Sequence, residues 1–75
     1  MSKEPHIGNQ IKKELERQGR TITWLAHELG YSRQHLYNIF TREWIYTDLL
    51  LKISILLNHD FFKSYSEYMK ELGNE

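Results

Sequence analysis

Residues 21–41 read TITWLAHELGYSRQHLYNIFT, and two short helical patterns meet inside them at a single glycine. Leu25, Ala26 and Leu29 recur at helical spacing before Gly30, and Leu36, Ile39 and Phe40 do so after it. Without a Cβ, Gly30 takes the left-handed conformation that closes the first helix, and Ser32 can cap the next one with its hydroxyl. Helices joined by so short a turn cross steeply. The crossing needs a small side chain, which Ala26 supplies, and the turn residue Tyr31 is expected to face inward.

Upstream, Ile7, Ile11 and Leu15 line one face of a first helix, with Lys12, Lys13, Glu14, Glu16 and Arg17 on the solvent side. Gly8 weakens its first turn, and Gly19 ends it. Residues 1–5, MSKEP, read as a flexible start, with Pro5 tolerated just inside the helix. Thr21 can cap the second helix, and the third spans about Ser32 to Phe40. The connection TREWIY has neither Gly nor Pro, so Trp44, Ile45 and Tyr46 are expected to seal the core or continue as a helical turn. Thr47 is the expected cap of a fourth helix, with Asp48 at its positive end. Seven of the nine residues 49–57 are Leu or Ile, more than one helical face can bury, so this helix is expected either to be buried on several sides or to contribute to an oligomer interface. After Asn58, Asp60 opens a fifth helix over residues 59–72, with Phe61 and Phe62 plugging the core. Its stripe of Phe61, Tyr65, Tyr68, Met69 and Leu72 is expected to pair with a second copy across a two-fold axis, the alternative being that it folds back on its own core.

The chain has 75 residues and reads as one small all-α domain, for which oligomerisation would supply extra burial. It has no cysteine, which excludes disulfides and thiolate metal sites and fits a cytoplasmic setting; no signal-peptide or membrane-spanning pattern is present. Net charge is zero, which argues against strong non-specific attraction to nucleic acid, but the charge is unevenly spread. Residues 1–42 carry seven Lys and Arg against four Glu, a balance of +3; residues 43–75 carry three Lys against six carboxylates, a balance of −3. That polarity would turn the first half toward a phosphate backbone. His6, His27, His35 and His59 form no i, i+4 pair and suit surface or capping roles better than a zinc site, so no metal or other cofactor is expected. There is no glycine-rich phosphate loop and no nucleophile set, and catalysis is not expected.

Ala26, Gly30, apolar residues at 25, 29, 31, 36 and 39, and Ser32 opening the second of two helices together resemble the helix-turn-helix of the phage-repressor (lambda-repressor-like, XRE) family. The preceding helix and the Leu-Lys-Ile run 51–53 match that family's first and fourth helices, so the resemblance covers roughly residues 7 to 62. It implies a five-helix domain with the helix-turn-helix at helices 2 and 3. It also implies double-stranded DNA as partner, with no small-molecule substrate. In that family the positions matching Ser32, Arg33, Gln34, Tyr37 and Asn38 supply groove and phosphate contacts. One departure is Ile22, where the family commonly has a Gln that holds a phosphate; Ile cannot donate that bond, and Arg20, Thr21 and Thr23 are the neighbours able to.

The third helix carries the matching chemistry in its own residues. At about 100° per residue, Arg33, Gln34, Tyr37, Asn38 and Thr41 share an arc of roughly 140°, opposite Leu36 and Ile39. Arg can donate two bonds to guanine, and Gln or Asn can exchange a pair with adenine in the major groove. Arg33, Gln34, Tyr37 and Asn38 are thus the base-reading candidates. Arg20, Thr21, Thr23, Ser32, Thr41 and Arg42 are the phosphate candidates. The expectation is a small dimeric transcriptional regulator. Its alternative is a protein-interaction module or antitoxin-like accessory factor that uses Trp24, Trp44 and the aromatic fifth helix.

Overall fold

Five helices follow one another along the chain: α1 (Ile7–Gln18), α2 (Ile22–Leu29), α3 (Arg33–Phe40), α4 (Thr47–Leu57) and α5 (Lys63–Gly73). The structure is a computed structural model that describes residues 4–73, and among these no strand forms. The all-α class is therefore as the sequence implies. Among the described residues no helix is long and apolar enough to cross a membrane.

The helix ends are built from local chemistry. Gly19 and Gly30, both at φ 71°, and Asn58 at φ 51° close α1, α2 and α4 in the left-handed conformation. Each closure satisfies two otherwise orphaned carbonyls. Arg20 N donates to Leu15 O (2.9 Å), Tyr31 N to Ala26 O (2.9 Å) and His59 N to Ser54 O (3.0 Å), each beside a bond from the preceding amide. Thr21 and Ser32 cap α2 and α3, accepting from Trp24 N and His35 N. The cap of α4 differs from expectation. Thr47 is already helical and Tyr46 precedes it without a side-chain bond; Asp48 Oδ1 instead accepts from Leu49 N at 2.9 Å.

The start of α1 is held by the far end of the helical pair. His6 Nδ1 accepts from Asn9 N, Ile7 N donates to Glu43 O at 3.0 Å, and Gly8 N donates to Arg42 O at 2.9 Å. The open amides of a helix N-terminus thus grip the connection after α3. Gly8, read as a weak point, is where the two backbones touch: a Cβ there would lie 2.4 Å from Phe40 O. Pro5 is buried and precedes the cap rather than lying inside the helix. Of the expected flexible start, residues 1–3 lie outside the described residues.

The core gathers Ile7, Ile11 and Leu15 from α1, Leu25 and Ala26 from α2, and Leu36 and Ile39 from α3; Leu50, Ile53 and Leu57 from α4 join them, with Phe61 beyond it. α3 packs on both α1 and α2. The surplus of α4 is divided as helical geometry demands: Leu51 and Ile55, one turn apart, stay 52% and 69% exposed. Of the aromatic connection only Ile45 enters the core; Trp44 and Tyr46 remain outside, in edge contact at 6.1 Å between ring centroids. Residues 44–46 are not helical, and the burial of Ile45 leaves its two neighbours on the solvent side.

Three further expectations shift. α5 begins at Lys63, not at residues 59–60, because Asp60 Oδ1 takes the amide of Phe62 (3.0 Å) and forms a turn first. Phe61 is 1% exposed within one copy of the chain and so leaves the proposed pairing stripe. Glu14, placed on the solvent face by its charge, is buried. Its carboxylate accepts from Arg17 Nε (3.0 Å) and Gln18 Nε2 (2.7 Å), and His59 Nδ1 lies 3.7 Å away. Gln18 Nε2 also donates to Leu57 O at 2.7 Å, so this cluster joins α1 to the end of α4.

Candidate nucleic-acid interface

The turn between α2 and α3 sets how α3 is presented. Gly30 reverses the chain, Tyr31 is half-buried with its ring stacked on His35 at 4.3 Å, and Ser32 opens the helix. With Leu36 and Ile39 fully inside, helical periodicity turns Arg33, Gln34, Tyr37 and Asn38 outward together, and all four are exposed.

The four are not independent. Gln34 Nε2 donates to Asn38 Oδ1 at 3.3 Å, one turn along the helix. That bond leaves the Gln34 carbonyl as an acceptor and the Asn38 amide hydrogens as donors, one of each kind, as the adenine edge requires. Tyr37 sits edge-on to buried Phe40 at 6.4 Å, which restrains its ring while 41% of the residue stays accessible. Arg33 stands in the first turn. Among the described residues no carboxylate pairs with Arg20, Arg33 or Arg42, so their charges are not spent internally.

The phosphate candidates divide by what their donors already do. Thr21 and Ser32 use their oxygens as acceptors in helix caps, which leaves each hydroxyl proton free to donate outward. Thr23 is exposed. Thr41 is different: its Oγ1 donates to Asn38 O at 2.7 Å, so its proton would have to leave that bond to reach a phosphate. Arg42 is exposed on a backbone anchored by Gly8. Arg20 lies with its guanidinium carbon 4.3 Å from the centroid of the Trp24 ring. Ile22, where a polar side chain is wanting, is half-buried against the core.

Three contributions escaped the sequence reading. Trp24 as a support for Arg20 has a faint signal, an arginine four residues before an aromatic. The grip of Gly8 on residues 40–42 has none, because nothing local links positions so far apart. Nor has the inward turn of Glu14, whose partner His59 is 45 positions away. His6 does cap a helix, while His27 and His35 are exposed, and among the described residues no group of three His, Asp or Glu could hold a metal ion.

Comparison with known proteins yields no matching family model, no matching curated protein and no matching solved structure.

Proposed function

We propose that this chain binds double-stranded DNA sequence-specifically, laying α3 in the major groove as a small dimeric transcriptional regulator of the cytoplasm. The observation that carries the reading is the common exposure of Arg33, Gln34, Tyr37 and Asn38 on one face of a helix whose opposite face is fixed in the core. Their donors and acceptors match base edges, and Arg20, Arg33 and Arg42, paired with no carboxylate among the described residues, would draw the face to phosphate. One short helix makes few base contacts. Two copies on half-sites about one helical turn apart would supply the missing specificity. Met69 and Leu72 on α5, 67% and 58% exposed, are the apolar side chains available for pairing.

Selection of duplexes from a random pool, followed by gel shift with the wild-type chain and Arg33→Ala and Gln34→Ala variants, tests the reading. A selected site that both variants still prefer would remove α3 from the readout. Trp44 and Tyr46, 59% and 66% exposed, favour a second reading as a protein-interaction module. Salt separates the two, because phosphate contacts weaken steeply with ionic strength and an aromatic contact does not.

A further inference from the structure

Arg20 and Trp24 form a unit that neither residue suggests alone. The arginine sits in the turn before α2 and its backbone is anchored, its amide bonded to Leu15 O at 2.9 Å. The tryptophan is anchored too, since its amide is held by Thr21 Oγ1 at 3.0 Å and its half-buried ring packs on the core. The guanidinium lies over that ring at 4.3 Å, within the range of a cation–π contact.

We propose that Trp24 is a positioning residue that holds Arg20 ready as a phosphate-binding cation at the start of α2. The geometry of the two groups is what makes this work. A guanidinium presents its flat face to an aromatic ring and its five N–H donors at the edge, so stacking consumes none of the hydrogen bonds that a phosphate takes. A free arginine loses rotamer freedom when it grips an anion; one already stacked has less to lose. Neighbouring Thr21, whose hydroxyl proton is uncommitted, adds a donor to the same place. The partner is the DNA backbone and the proposal rests on the DNA-binding reading. It assigns uniform affinity, not base preference, to this pair.

The test is the salt dependence of binding to a mixed-sequence duplex of about 24 base pairs, whose logarithmic slope counts phosphate contacts at about 0.9 each. Four variants are compared with the wild type: Arg20→Ala, Trp24→Met, Trp24→Phe and the double variant Arg20→Ala/Trp24→Met. Methionine keeps apolar bulk without a π face, and phenylalanine keeps the face. The expected result is that Arg20→Ala and Trp24→Met each reduce the slope by about one and weaken binding several-fold, Trp24→Phe restores most of both, and the double variant is no weaker than Arg20→Ala. A folded Trp24→Met variant with the wild-type slope overturns the proposal, as does a double variant in which the two losses simply multiply. Should Trp24→Met fail to fold, the free wild-type chain decides. Arg20 side-chain protons displaced upfield by the indole ring current support the stack, and unshifted ones overturn it. A wild-type chain that binds no duplex at low salt removes the whole DNA reading; one that binds while Arg20→Ala is unchanged removes only this proposal.

Discussion

The amide of Gly8 donates to the carbonyl of Arg42 at 2.9 Å, joining the first turn of α1 to the residue that leaves α3. The approach is so close that a Cβ on Gly8 would lie 2.4 Å from Phe40 O and 2.7 Å from Arg42 O. The far end of the candidate reading helix is therefore set by a helix that begins more than thirty residues earlier in the chain.

Gly8→Ala is the sharpest consequence. Helix propensity alone favours alanine over glycine by about 0.8–1 kcal/mol, yet the added methyl would overlap backbone atoms that cannot swing away. Overpacking wins. A loss of about 2–3 kcal/mol is expected by urea denaturation, and a variant as stable as the wild type would show that α1 and the connection are not in contact.

Gly30→Ala is expected to act by another route. Nothing lies within 4 Å of a Cβ there, but the backbone sits at φ 71°. The cost is the left-handed conformation alone, about 1–2 kcal/mol, with α3 still formed by circular dichroism.

Acid should loosen the junction of α1 with the end of α4. The hydrogen bond from Arg17, then that from Gln18, holds the Glu14 carboxyl at a pKa of about 2, below its ordinary 4.5. A carboxylate whose pKa falls on folding stabilises the native state above its unfolded value and loses that contribution as pH drops through the folded one. The stability supplied by Glu14 is thus complete above pH 4.5 and disappears between pH 4.5 and 2. Glu14→Gln should flatten the melting temperature against pH across that window; an unaltered profile would place the acid sensitivity elsewhere.

For base readout, Arg33→Ala and Gln34→Ala should each reduce discrimination between the selected site and a single-base variant by about 1–3 kcal/mol, with unchanged melting temperature. Asn38→Ala is expected to resemble Gln34→Ala, because the 3.3 Å bond between them makes each orient the other. Equal affinity for all duplexes in the wild-type chain would contradict this.

Pairing through α5 calls for substitutions, not truncation. Cutting near Asn58 would remove core residue Phe61 and unfold the chain, so Met69→Glu with Leu72→Glu is the appropriate variant. Sedimentation should give a dimer for the wild type and a folded monomer for the variant. A wild-type monomer at high micromolar concentration would end the pairing model.

Helix number and the cap chemistry at Gly19, Thr21, Gly30 and Ser32 were legible in the chain because each depends on neighbours within about four residues. The outward arc of α3 was legible for the same reason. It follows from periodicity once Leu36 and Ile39 are inside. Phe61 plugs the core as its position implies and is lost only to the pairing stripe, whereas for Trp44, Tyr46 and Glu14 a residue's own hydropathy is a poor guide to its place. Trp44 and Tyr46 are left outside by the burial of Ile45 between them, and Glu14 faces the end of α4, where Gln18 bonds Leu57 O and His59 lies 3.7 Å away.

What the amino-acid order determined by itself is local: which segments are helical, where glycine and hydroxyl side chains stop and start them, and which face of α3 is polar. Only the tertiary structure decided the rest. Gly8 against Phe40 and Gln18 against Leu57 exist because packing brings distant backbones within contact and hydrogen-bond reach, and that proximity is written in no short window of the chain.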